Sequence, residues 1–461
     1  MTRGWRERLR RLGIVLMGLL VVLAIVWTYY NITLGLALED EFAKLRERGE
    51  PIAMDQIIPK MPRRHENAAY VYEQAFRVFQ EWQPIPEGAV SGTKLGDLGA
   101  DHTLDEFIHG ERQELAPDTR GWLFSDEIDR RLEAVKRASQ MDECVFPVNW
   151  EDGFGALLPH LAQFRAAQRL VTARMMIAAR EGRTEEALDW CEVGLRMTGH
   201  VSQEPTLIAV LVQIAMHSIL SSGFEDVCGQ MAVPSERARH LRDVLTDEDL
   251  WDAFSRAMLA ERVFGGWIFD NIRSEAVLEM LENDVPPPLD GLWGFYGGTL
   301  AGPLLKHDRL THLRVMDAQL AYLDQPWREA TPGLSPVEEM VREIRWTAPL
   351  TRMIVPALGR AQMKRDLGIA RLSQFQIALM LNVYRQEHGG YPPTLDALAE
   401  AIDWPIPDDI FSGEPFHYQR EGGGYRLWSL GQDLDDDGGV GPSETEGRGW
   451  DDSDIVWRVE G

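Results

Sequence analysis

Nineteen consecutive residues without a charge, Leu12 to Tyr30, constrain this chain more than any other feature of its 461 residues. At helical rise they span roughly 28 Å, about one hydrocarbon core. Met1 to Arg11 carries Arg3, Arg6, Arg8, Arg10 and Arg11 against the single acid Glu7. Trp27, Tyr29 and Tyr30 close the run as an aromatic belt does. The expectation is a basic cytoplasmic tail over residues 1–11 and a single-pass transmembrane helix over 12–30. The bulk then lies on the far side of a bacterial inner (cytoplasmic) membrane, in the periplasm or outside. The competing reading is a cleaved signal peptide, for which Gly35-Leu36-Ala37 offers a small-x-small pattern. The length of the run and its aromatic end favour a retained anchor.

The remainder is too long for one ordinary core, so more than one domain is expected. A net charge of −26 argues against nucleic acid and against anionic lipid surfaces as the main partner. Cys144, Cys191 and Cys228 are widely spaced and odd in number, which excludes a disulfide framework and a zinc cluster. Buried free thiols and one bridged pair both remain open.

Apolar periodicity makes residues 31–355 mostly helical. Leu38–Arg48 is expected as a short charged helix leaving the membrane, followed by helices at Asn67–Trp82, Ser125–Gln140, Leu157–Arg180 and Thr184–Thr198. Thr206–Ser221 is nearly continuously apolar, but it is short for a second span and holds Gln213 and His217, so it belongs in the core. Ser235–Leu245, Asp247–Glu282, His307–Leu323 and Pro336–Arg345 follow as helices. Ala173–Met197 resembles one tetratricopeptide unit, through Ala178, Gly182, Glu185-Glu186-Ala187 and Leu195. The unit does not recur, and an ordinary antiparallel helical hairpin is the favoured reading.

Past about residue 365 the pattern changes. Ala370–His388 reads as one amphipathic helix ended by Gly389-Gly390, and Leu395–Ile402 as a short second helix. Phe416–Arg420 and Tyr425–Leu430 alternate as strands around Glu421-Gly-Gly-Gly424, and Asp454–Val459 reads as a returning strand. The fold class is therefore α+β, mostly α, with a small C-terminal helix-plus-antiparallel-strands domain over 365–461.

Between the last two strands lies an acidic, glycine-broken loop. Asp433, Asp435, Asp437, Gly438 and Glu444 satisfy D-x-D-x-D-G-x5-E, the spacing that lets alternate acids turn inward on a calcium ion. An EF-hand would use Glu444 as its bidentate ligand. A strand before the loop and the glycines and proline after it argue against the helical flanks an EF-hand needs. A solvated acidic tail is the plain alternative.

Tyr384-Arg-Gln-Glu-His-Gly-Gly-Tyr-Pro-Pro-Thr-Leu-Asp-Ala-Leu resembles the helix end and loop of type II secretion major pseudopilins. Tyr425-Arg-Leu-Trp-Ser-Leu-Gly-Gln-Asp, with Gly438-Gly439 and Asp452-Ser-Asp454-Ile455, resembles their last strand and calcium loop. The resemblance covers roughly the last 95 residues. It implies a pseudopilin-type fold and a structural calcium ion closed by Asp452 and Asp454, with Asp433 and a backbone carbonyl near Leu430. A long insertion separates this unit from the N-terminal helix, and Arg11-Leu-Gly13-Ile-Val-Leu lacks the pseudopilin start.

Other chemistry is sparse. His102, Glu106 and His109 share a helical face, a geometry that metal ligation and a solvated helix both give. Trp267, Trp293, Phe295 and Tyr296 suit a pocket wall or a core. No nucleophile elbow, zinc-protease helix or phosphate loop occurs. The expectation is a non-enzymatic, membrane-anchored interaction or envelope-structural protein with a protein partner. An envelope enzyme working from the helical region and an accessory component of a type II secretion or pilus-like system are the alternatives.

Overall fold

The computed structural model describes residues 3–77, 102–245, 247–274, 277, 301–344, 348–355, 360–441 and 453–461. Helix α1 (Arg3–Glu47) is unbroken for 45 residues. The expected change of helix near Leu38 is absent, because nothing between Tyr30 and Leu38 is a proline or an unsupported glycine. What changes there is the environment. Leu12 to Ile32 present bare apolar side chains, whereas Leu38 and Leu45 are buried against Leu310 and Leu313.

Helices α2 (Ala69–Arg77), α3 (His102–Ile108), α4 (Pro117–Leu123) and α5 (Asp126–Ser139) lead into the body. Ser125 caps α5 by accepting from the Ile128 amide, as its sequence position implies. Helices α6 (Pro159–Arg180) and α7 (Thr184–Val201) form an antiparallel hairpin. Gly182 turns it at φ +74°. Helix α8 (Leu207–Cys228) lies against both and is capped by Thr206. At 22 residues it runs longer than the apolar block alone suggests, and it passes the length and composition of a membrane span. Its contacts with α6, α7 and the C-terminal elements bury its middle, as a core helix requires.

Helices α9 (Ser235–Val244), α10 (Asp247–Asp270), α11 (Gly302–Leu320), α12 (Trp327–Arg342) and α13 (Pro349–Ile354) complete the body. Helix α12 begins nine residues before the expected Pro336 and carries Pro332 and Pro336 inside it. Its start is stabilised from outside: the Trp327 amide donates to Asp366 Oδ2 at 2.5 Å. A tertiary partner thus satisfies one of the orphan donors of a helix start.

Helix α14 (Ala361–His388) is 28 residues long, and the boundary expected at 365 falls inside it. Arg365 and Asp366 are fully buried there and paired at 2.7 Å. Arg365 also donates to the carbonyls of Leu323 and Gln325 and lies 3.5 Å above the Trp251 ring. Further along, Asn382 Nδ2 donates to the carbonyls of Cys228 and Met231, and its Oδ1 accepts from the Val233 amide. Arg385 donates to the carbonyls of Gly229 and Met231. The carbonyls that α8 leaves unpaired at its C-terminus are met by α14.

After α15 (Leu395–Ile402), strands β1 (His417–Glu421), β2 (Gly424–Ser429) and β3 (Ile455–Val459) form an antiparallel sheet in the order β1-β2-β3. Glu421 pairs with Gly424, so Gly422-Gly423 is a two-residue hairpin turn. Gln374 of α14 donates to the carbonyl of Ile455 at 2.6 Å and pins the sheet to the helix. Phe375, Leu427 and Trp457 belong to the same continuous core as Leu170, Leu188 and Phe224 of the helical body.

Candidate metal centre

The acidic loop leaves β2 and returns to β3. Strands, not helices, therefore flank it among the described residues. Leu430 sits half-buried at the end of β2. Gly431 turns at φ +69°, and a Cβ there would stand 2.9 Å from the Ser453 carbonyl. That close approach brings the two ends of the loop together.

Asp433 and Asp435 are exposed, and Asp433 Oδ1 accepts from the Asp435 amide at 3.3 Å. Asp437 is half-buried. Asp454 is buried at the mouth of β3, 1% exposed. Its Oδ2 accepts from the Gly439 amide at 2.8 Å, and its Oδ1 has no hydrogen-bond partner. Burial, together with the nearby charges of Asp436 and Asp437, pushes this carboxyl up to about 6. Glu444 and Asp452 lie outside the described residues.

Sequence spacing passed over Asp436. Its Oδ1 accepts from Trp428 Nε1 at 3.0 Å and from the Gly438 amide at 2.9 Å, an Asx turn that ties the loop to β2. The Trp428 bond holds its carboxyl below the usual range. The Asp-x-Gly spacing was the available signal. Gly439, at φ +72°, packs on the Trp428 ring, where a Cβ would come within 3.0 Å.

Carboxylates and backbone carbonyls are the donors a hard cation takes; of the carbonyls in this loop, that of Gly438 already accepts from Arg426 Nη1 at 3.0 Å. Among the described residues no group of three or more His, Cys, Asp or Glu side chains is placed to hold a metal ion.

The other sites take different roles. Asp105 accepts from Arg169 Nε at 2.7 Å and Glu106 is paired with Arg112 at 2.9 Å, which engages both acids of the histidine-flanked helix. The His102 side chain lies outside the described residues, as do Trp293, Phe295 and Tyr296; Trp267 packs over Gly153. The three cysteines are free and buried, and burial pushes the Cys228 thiol up to about 12.

A cleft of about 780 Å³ opens beside the contact between the helical body and the sheet, with Glu225, Asp226, Arg371 and Arg458 in its walls. Glu225 Oε1 accepts from the Arg458 amide at 2.7 Å, and its Oε2 stands 3.8 Å from Arg371. Burial raises this carboxyl to about 7. A side chain of that kind can exchange a proton near neutrality.

No protein family, curated protein or solved structure matches the chain.

Proposed function

We propose that this chain is an interaction or structural protein of a bacterial envelope. It is anchored in the inner membrane by residues 12–30, with residues 31–461 outside the cytoplasm and a structural calcium ion in a pseudopilin-like C-terminal sheet. The observation that carries the reading is the two-part surface of α1. The same unbroken helix is bare and apolar over Leu12–Ile32 and packed into the body at Leu38 and Leu45. A bare apolar surface of that length needs lipid to cover it.

Asp454, Asp437 and Asp433, with loop carbonyls near Leu430, would hold the ion; Glu444 remains a proposed ligand from its spacing and Asp452 from the pseudopilin resemblance. Bound calcium supplies positive charge that offsets repulsion among the acids and ties the loop to β3. At a free concentration about ten times the dissociation constant it adds about 1.4 kcal/mol.

Carbonate extraction of membranes, followed by protease treatment of intact spheroplasts, tests the placement. The reading expects a full-length, carbonate-resistant chain whose body is digested from outside. A soluble chain beginning after residue 35, or a body protected until lysis, contradicts it.

A second reading, an envelope enzyme, has the Glu225 cleft in its favour. Screening the full chain for hydrolytic activity against Glu225→Gln tests it, and equal turnover by both forms removes Glu225 from any such role.

A further inference from the structure

A groove of about 940 Å³ runs along α1 from Leu20 to Leu34. Its second wall is the start of α11, through Pro303, Leu304 and His307. Leu20 and Leu23 are more than half exposed along it. Fourteen helical rises make it about 21 Å long, somewhat more than one leaflet of hydrocarbon.

The two walls are fixed to one another. Lys306 Nζ donates to the Asn31 carbonyl at 3.0 Å, and a Cβ on Gly302 would lie 3.8 Å from the Trp27 ring. Higher up, Arg309 lies 5.1 Å over the Phe42 ring and Arg314 pairs with Glu41 at 3.2 Å. The first turn of α11 therefore stands level with the aromatic end of the apolar run. A body hung on a loose tether would have no fixed depth, whereas this one does.

The sequence of α11 fits that depth. Pro303, Leu304 and Leu305 are apolar, and Lys306, His307 and Arg309 follow one turn above. Apolar below and basic above is the arrangement of a segment at the boundary between bilayer and water. Asp308, the one acid among them, is turned inward, where it accepts from the amides of Leu350 and Thr351. Lys306 and His307 stand where lipid phosphates would lie; Arg309 is already paired with Asp270, at 2.5 and 2.9 Å.

We propose that this groove seats an acyl chain of a phospholipid from the leaflet facing away from the cytoplasm. The first turn of α11 wedges into that leaflet and holds the body on the membrane in one orientation. The inference rests on the membrane-anchor reading of α1. Lipid is the occupant because the lower half of the groove is continuous with the lipid-facing surface of the same helix.

The test uses the full chain in phospholipid nanodiscs with a nitroxide label at Leu304→Cys. Leu23→Cys serves as the membrane reference and Glu185→Cys, exposed in the first turn of α7, as the aqueous one. The native thiols are buried and leave the introduced one to react. The expected result is stronger broadening by oxygen than by a water-soluble nickel chelate at positions 304 and 23, and the reverse at 185. An aqueous label at 304 beside an embedded label at 23 overturns the docking and leaves the anchor standing. Aqueous labels at both overturn the anchor and the docking with it. Strong dipolar broadening between 304 labels at low protein-to-lipid ratio overturns the lipid occupant in favour of a second copy. Pro303→Cys repeats the reading if Leu304→Cys disturbs the fold.

Discussion

Arg365 and Asp366 are a buried ion pair whose two members also satisfy backbone groups on separate elements. Removing one member of such a pair leaves the other charge buried and unpaired. Arg365→Ala is therefore expected to lose on the order of 3–5 kcal/mol in chemical denaturation, and an effect below about 1 kcal/mol would contradict the account. Glu225 allows a prediction with a sign. Its folded pKa, about 7, lies above the ordinary value of 4.5. The folded state thus holds the proton more tightly, and stability is lost as pH rises between these values. The neutral variant Glu225→Gln should gain on wild type by about 1–2 kcal/mol between pH 4 and pH 8, after allowance for partial exposure. Parallel stability curves for the two forms would refute the assignment. At this scale the sequence was only partly legible. Asp454 was visible through its motif, while Asp436 sat between the alternating positions and Glu225 on an apolar helix without any mark.

Among the elements, those whose ends are set locally were readable. Gly389 ends α14 at φ +77°, Thr394 caps α15, and Gly422-Gly423 turns the hairpin. The elements set by distant partners were not. Helix α12 starts where Asp366 accepts its first amide, a contact 39 residues away in sequence. Helix α1 continues past its apolar run with α11 packed beside it, which composition alone does not reveal. The end of α8 gives a direct check on this kind of support. Asn382→Ala would unpair the Cys228 carbonyl and the Val233 amide, both buried, and would remove one of the two donors to the Met231 carbonyl. A loss of about 1–3 kcal/mol is expected, together with faster amide exchange at Val233. Unchanged exchange there would show that α14 does not hold that turn.

For the whole molecule, the shift in composition near residue 365 suggested a separate small domain, yet the sheet and the helical body share one core through α14. A three-stranded sheet buries little alone, so its dependence on that helix is physically expected. Calorimetry of the body and sheet together should give one cooperative transition, and two resolved transitions would argue against the shared core. The calcium proposal has to be tested in this setting, on the full chain in detergent rather than on residues 365–461. The most direct measurement is the melting temperature and bound-ion stoichiometry with calcium or with a chelator, for wild type and Asp454→Asn. The account predicts one ion per chain, a higher melting temperature with calcium, and loss of both in the variant. No bound ion, with identical melting in calcium and chelator, would contradict it.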